Sequence, residues 1–581
     1  MEHYYTSERN AQILISLLKA HGIKKIVASP GATNVCLVAS IQQDPYFEIY
    51  SSVDERSAAY MACGMAAESG EPVALSCTGA TASRNYYPGL TEAYYRKLPV
   101  LAVTSSQPIG RIGHLMPQVT NRLEPPSDIA KLSVHLPEVH NQEEEWECVA
   151  KVNKAISELR RNGGGPVHIN LTTTYSKDFS VKELPKVRAI FRVGYEDNLP
   201  EMNAENVAIY VGAHTPWSER LTKAVDSFCE RYNGAVICDQ TSNYYGKYRV
   251  DACLVANQVM YHSPCCTPEL MVHIGEITGA YMHIAPKAVW RVSPDGEMRD
   301  TFKALRYVFE MDEATFFERF VQIGQETNNT SHYELWQSER TRLEGKMPEL
   351  PFSNAWVAQL TLPRLPKNSV LHLGILNSLR AWNYCKARND IPVFCNTGGF
   401  GIDGCVSSLI GASLAHRDKL YFGVVGDLAF FYDMNSIGNR HVGNNIRLLV
   451  VNNGKGFEFK YFNNFAAKAN LGDSIEEYIA AEGHYGNKSE KLLKHYAEDL
   501  GFKYLAASTK EEYQSCLDTF VSSEIGDRSI LFEIFTDSQE ENQANYMMET
   551  LEKDAVSETK QLAKSILGDK GVQAVKKILN K

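Results

Sequence analysis

The chain has 581 residues, too many for one hydrophobic core, and its 44% hydrophobic and 22% charged residues are the balance of a folded globular protein. A formal charge of −10 leaves no electrostatic footprint for nucleic acid, and no apolar run approaches the roughly 20 residues that cross a bilayer. The N-terminus, MEHYYTSERNAQILISLL, lacks a basic n-region and a cleavage site, and the 13 cysteines include no C-x-x-C pair. Together these predict a cytoplasmic protein with reduced thiols, in which Asn329-Thr330-Ser331 matches a glycosylation acceptor by chance.

Residues 7–22 have helical apolar spacing, and KKIVASPG reads as a strand entering a tight loop. FEIYSSV is a second strand, followed by the small-residue helix ERSAAYMACGMAAESG. PVALSCTGATASRNYYPGL is strand, loop and helix start, and LPVLAVTSS is another strand. Strands separated by helices predict a parallel sheet covered on both faces, with ligands at the carboxyl ends of its strands. Residues 180–200 lose this periodicity and read as a linker. A second α/β unit spans 200–325, with strands VAIYVGA, AVICD, MVHIG and VWRVSP. The polar QETNNTSHYELW reads as a further linker. A third unit spans 350–545, with strands SVLHLG, PVFCN, LYFGVVGD, IRLLVVNN and SILFEIF. Residues 546–581 read as a lysine-bearing, helix-prone tail, suited to docking or oligomer stabilisation rather than to a membrane surface. The expected fold class is α/β, with three doubly wound parallel-sheet domains.

The third unit holds two competing patterns. Gly399, Gly401 and Gly404 form a G-x-G-x-x-G between a strand and an apolar helix, and Asp427 lies 23 residues beyond Gly404. That is the layout of a dinucleotide site, the acid taking a ribose hydroxyl. Against it, Asp427 and Asn453 each end a strand, 26 positions apart, in what reads as one βαβ unit. An acid, an amide oxygen and a nearby carbonyl make a half-shell for Mg²⁺, with room for water and phosphate oxygens. Asn-Asn-Gly is also ordinary turn chemistry.

With these residues in view, the chain resembles the thiamine-diphosphate-dependent enzymes. GD followed by NN two dozen residues later is similar to their diphosphate-binding signature, although Leu428 stands where the signature has glycine. The resemblance implies that Asp427, Asn453 and the backbone of Lys455 hold Mg²⁺ on the diphosphate. GDLAFFYDMN, NTGGFGIDG and SPGATN…VDERSAAYMACGMA look most like the menaquinone-pathway synthase branch, over about residues 10–540. Glu55, at a strand end and a helix start, is by position a helix cap. Matched to the family through VDER, it becomes the carboxyl group that hydrogen-bonds the cofactor's pyrimidine and promotes its imino tautomer, a role suited to a buried glutamate with a raised pKa. Ile402 matches the apolar wedge between the cofactor's rings, and Thr78, Gly79 and Thr81 match the loop on the pyrimidine side. Gly401, Gly426 and Leu428 complete the implied cofactor-binding set. The domains become pyrimidine-binding (1–180), middle (200–325) and diphosphate-binding (350–545). The resemblance also implies a homodimer or homotetramer with sites between subunits, and 201–325 carries no distinct FAD signal.

The substrate side of the resemblance differs. The synthase branch uses arginines to hold carboxylates, and arginine's planar fork is hard to replace. Here Thr33, Thr397 and Gln107 stand at three of those positions, and Ala280-Tyr281 replaces a Lys-Arg pair. Arg380 lies near another, in a register that points to Trp382. Gln118 aligns with a family glutamine at the site, and His114, nearby, is a candidate proton relay at neutral pH. Arg84, Arg111 and Lys460 are candidates to meet an acidic acceptor. The expected reaction is decarboxylation of a 2-oxo acid, with protonation or acyl transfer to a carbonyl acceptor. The rival readings are an NAD-dependent dehydrogenase and a non-catalytic paralogue acting as an assembly subunit.

Overall fold

The computed structural model describes residues 4–324, 329–469, 471 and 474–554. They form two compact units, one of residues 4–198 with Asp295–Glu310, the other of Leu199–Pro294 with the chain from Met311 onward.

In the first unit six parallel strands, Lys25–Ala28, Glu48–Ser51, Val73–Thr78, Val100–Ser106, Ser133–Leu136 and Val167–Thr172, lie in the spatial order second, first, third, fourth, sixth, fifth. Val100–Ser106 and Val167–Thr172 are buried at every position, because helices cover both faces; VLAVTSS and VHINLT therefore read as runs rather than alternations. On one face Arg9–Ala20 and Gln142–Glu158 share a core with Ile26, Leu101 and Ile169. On the other, Glu55–Ser69 lays Ala58, Ala59, Ala62, Cys63 and Ala66 inward. Such a small stripe allows close approach: a Cβ on Gly89 of the adjacent helix would come within 2.4 Å of Ala59 Cβ. Asp54 caps the start of Glu55–Ser69 by accepting the Arg56 amide, and Gly70, at φ +67°, ends it. The stretch read from sequence as a linker contains a strand, Phe191–Val193, paired parallel with Leu305–Phe309. Arg188 to Asp300, at 2.6 Å, joins the same two segments.

In the second unit, strands Val207–Val211, Gly234–Cys238, Arg249–Asp251, Leu270–Ile274 and Ala288–Val292 run parallel in the order third, second, first, fourth, fifth. Its other sheet has six parallel strands, Val370–Leu373, Val393–Cys395, Tyr421–Gly426, Ile446–Asn452, Lys503–Ala507 and Ile530–Phe535. They take the order second, first, third, fourth, sixth, fifth, the same as in the first unit. The second polar linker is corrected from Ser331 onward, where a helix, Ser331–Glu344, buries His332, Trp336, Arg340 and Leu343 as one stripe. All 13 cysteines are unpaired. Of the C-terminal tail, the end of helix Ser538–Glu549 and residues 550–554 are seen; the remainder of that expectation lies outside the described residues.

Glu541 on this last helix is fully enclosed, accepting the Asn354 amide at 2.9 Å and Asn377 Nδ2 at 3.4 Å. Burial pushes its pKa up to about 7. The folded-state value lies above the unfolded one, so the stability linked to this proton is intact below about pH 4.5 and is lost as pH rises through about 7. Glu541→Gln stays neutral, keeps an acceptor oxygen, and is expected to stabilise the protein at pH 8 by up to about 3 kcal/mol, and by less at pH 5.5. Denaturant midpoints at the two pH values check this; equal shifts at both would remove ionisation as the cause.

Candidate active site

Tyr421–Gly426 and Ile446–Asn452 are parallel neighbours with Gly426 opposite Val451, so Asp427 and Asn453 leave the sheet from the same edge. Asp427 opens the helix Asp427–Tyr432 and is 5% exposed. Burial raises its pKa to about 7, partly opposed by the backbone amides of Leu428, Gly454 and Asn453. The two adjacent asparagines do different work. Asn452 is turned into the sheet, its Nδ2 donating to Glu533 at 2.7 Å and its Oδ1 accepting the Gly454 amide. The buried Oδ1 of Asn453 has no hydrogen-bond partner in the protein. An enclosed carboxylate beside an unused amide oxygen is a donor set that fits Mg²⁺, and a bound cation would return Asp427 to its ionised form. Lys455, two residues on, commits its ammonium to Glu476 at 2.8 Å and Glu482 at 3.1 Å, which leaves its carbonyl as the group the resemblance assigns to the metal. Among the described residues no three His, Cys, Asp or Glu side chains converge as a metal cage.

The glycine motif sits in the loop before helix Cys405–Ala415, with Gly404 at the helix cap. A Cβ on Gly399 or Gly426 would meet nothing, so both border open space, while one on Gly401 would collide with Asp403 at 2.4 Å. Ile402 is half-buried and packs on the core beneath this loop. Leu428 faces the opposite loop: a Cβ on Gly456 would touch its Cδ1 at 3.4 Å. The topology removes the dinucleotide layout. That layout sets the acid on the strand next to the glycine-bearing one. Here Val393–Cys395 pairs with Val370–Leu373, which separates it from Tyr421–Gly426.

In the first unit Thr78 ends its strand and shares a hydrogen bond with the hydroxyl of Thr33. Thr33 is buried and also donates to the Ser105 carbonyl, so it serves the backbone where the resemblance leads one to expect an arginine. Gly79 is buried, and a Cβ there would lie 3.0 Å from Ser106 Cβ; Thr81 is exposed. Glu55 accepts from Asn85 Nδ2 at 3.3 Å. Its carboxylate is half-buried within one chain, short of the burial expected, because Val53, Tyr60 and Met61 beside it face outward at 78%, 47% and 41% exposure. His114 and Gln118 lie on an exposed loop, Gln118 at φ +62°.

Two of the three basic candidates for an acidic acceptor are already engaged. Lys460 binds Glu476 at 2.5 Å, and Arg111 binds Gln107; Arg84 is exposed. Arg380 is held by both oxygens of Glu458, at 3.0 and 2.8 Å, and lies 4.0 Å over the Tyr461 ring. Tyr461 and Tyr384 in turn donate to Glu549. This network went unread in the sequence; Glu458, five residues past Asn453, was its nearest signal.

Residues 9–125 match the family described as thiamine pyrophosphate enzyme, N-terminal TPP binding domain. Over nearly the whole chain there is similarity to proteins named 2-succinyl-5-enolpyruvyl-6-hydroxy-3-cyclohexene-1-carboxylate synthase. That of Bacteroides fragilis is 31% identical over 560 residues, covering 92% of this chain and 98% of the relative. That of Bacteroides thetaiotaomicron is 31% identical over 564 residues, covering 92% and 97%. That of Porphyromonas gingivalis is 27% identical over 576 residues, covering 92% and 96%. The chain belongs to the thiamine-pyrophosphate-dependent enzyme family, and its full-length relatives carry the name of that synthase. Among the described residues no helix is long and apolar enough to cross a membrane.

Proposed function

We propose that the protein is a cytoplasmic decarboxylase or carboligase that uses thiamine diphosphate and Mg²⁺ on a 2-oxo acid. The observation that carries this reading is the enclosed Asp427 carboxylate beside the partnerless Asn453 Oδ1, at one edge of two adjacent strands. Bound thiamine diphosphate supplies an electron sink for the carbon–carbon bond that breaks. The substrate's carboxyl carbon leaves as CO₂, and the bonding pair stays on the former carbonyl carbon. That carbon then takes a proton, or bonds to the carbonyl carbon of an acceptor whose oxygen takes the proton.

In this reading Asp427, Asn453 and the Lys455 carbonyl hold the metal, and Gly401, Ile402, Gly426 and Leu428 border the cofactor. Glu55 holds a proton at the pyrimidine, with Thr78, Gly79 and Thr81 on that side. Gln118 and His114 face the substrate from their loop. The chain acts as a homodimer or homotetramer, in which the exposed Val53–Met61 face beside Glu55 is covered by another subunit. With Thr33 tied to the Ser105 carbonyl and Ala280-Tyr281 where a Lys-Arg pair is expected, the substrates differ from those that give the product in the relatives' name.

Calorimetric titration of metal-stripped protein with thiamine diphosphate tests the reading. Binding is expected with Mg²⁺ and at least about tenfold weaker without it, since the diphosphate then meets no cation. Binding indifferent to Mg²⁺, or saturable binding of NAD instead, would overturn it.

A further inference from the structure

A cavity of about 330 Å³ lies in the second unit against the turn Phe457–Phe459, which begins four residues beyond Asn453. This is the lower end of the range for small-molecule sites, about 300–1,000 Å³. One wall is Tyr281, 61% exposed, whose ring meets that of Phe400 edge-on at 6.2 Å. Phe400 belongs to the loop that also carries Gly401 and Ile402, so the cavity adjoins the proposed cofactor site.

Its charges are already settled. Arg380 is a guanidinium on its lining, and Glu458 takes it with both oxygens. Glu549, also on the lining, adds a second carboxyl group that accepts from Tyr384 and Tyr461. A carboxylate or phosphate entering here would find the cation already paired with Glu458. Three buried polar atoms of lining residues nevertheless make no hydrogen bond in the protein: Arg380 Nη1, Asn383 Nδ2 and Asn257 Oδ1. Asn383 is 3% exposed, and its Oδ1 is fixed by the Gln240 amide at 2.8 Å, which sets the side chain's orientation. Unpaired buried polar groups are costly, and two donors with one acceptor match neighbouring hydroxyls, each of which both gives and takes a hydrogen bond. The Tyr281 and Tyr461 rings give the carbon face of such a molecule an apolar wall.

We infer that this cavity selects the acceptor, and that the acceptor is a neutral, multiply hydroxylated aldehyde or ketone, sugar-like in chemistry. The inference rests on the thiamine reading of the adjoining loops. Carboxylated and phosphorylated acceptors are excluded by Glu458, which already holds the Arg380 charge.

Saturation-transfer NMR on the protein with thiamine diphosphate and Mg²⁺ tests it. The probes are xylitol, which carries the hydroxyls and no reactive carbonyl, and succinate. Xylitol is expected to receive saturation and succinate none. Asn257→Leu, which removes the free acceptor while keeping the branched shape, should cut the xylitol signal at least about threefold. Tyr281→Ala, at an exposed position the fold tolerates, should cut it too. Glu458→Gln leaves Arg380 uncompensated and should admit succinate. Succinate saturating the unsubstituted protein as strongly as xylitol, or xylitol unaffected by both Asn257→Leu and Tyr281→Ala, would overturn the inference. The cofactor titration is read separately. Should it fail, the probes still report on the cavity of the chain as purified, so the two failures are told apart.

Discussion

Asp427→Ala is expected to weaken thiamine diphosphate binding in saturating Mg²⁺ by at least about a hundredfold, more than the loss of a group that merely supports a metal ligand. The same substitution is expected to leave the cofactor-free protein as stable as before, or more so. The carboxyl group is 5% exposed and its pKa is pushed up to about 7 by burial, so it sits at a cost in a site that holds no cation. Calorimetry reads the first effect and the cofactor-free melting temperature the second. The opposite signs matter. A residue kept for packing would lose stability along with binding, whereas a ligand kept for a metal loses binding alone. Cofactor affinity unchanged in Asp427→Ala would return the residue to a structural role and remove the metal from this edge.

The edge itself was legible because Tyr421–Gly426 and Ile446–Asn452 are apolar runs that stop on polar residues, and two buried parallel strands have few other ways to look. Less was legible where one face of an element is open. Lys503–Ala507 is an edge strand with one buried residue in five, and its sequence, KYLAA, carries no run to read. Phe191–Val193 sits in a stretch without periodicity, and its pairing with Leu305–Phe309 gathers residues 295–310 into the first unit, although they are far from it in sequence. Helix Ser331–Glu344 was masked by its polar side, since its buried stripe includes a histidine and an arginine that look like surface residues. The site divides in the same way. Asp427 and Asn453 announced themselves by spacing. The acids that hold Arg380 and its ring partner Tyr461 lie 78 and 88 residues from the groups they bind, a relation that spacing cannot carry.

Glu55→Gln is expected to retain cofactor binding within about threefold and to lower CO₂ release about 10²- to 10⁴-fold on whichever 2-oxo acid the unsubstituted protein decarboxylates, the range typical of losing a positioned acid–base group. Glutamine preserves the shape and the hydrogen bond with Asn85, so at a cap or a packing residue it would leave CO₂ release unchanged. The surface around Glu55 takes the argument a step further. Val53, Tyr60 and Met61 leave an apolar strip beside a half-buried carboxyl group, and a glutamate that works as an acid needs that strip covered. If another copy of the chain covers it and brings its own Asp427 edge, Glu55→Gln and Asp427→Ala damage each site from different subunits. Co-expressing the two inactive chains then gives mixed dimers in which one site carries both lesions and the other carries none. With random pairing, about a quarter of the unsubstituted activity should return, because half the dimers are mixed and each keeps one intact site. Were both groups of a site to come from one chain, mixing would restore nothing. Activity regained from two inactive chains would place Glu55 and Asp427 of different subunits in one site, and its absence would confine each site to a single chain.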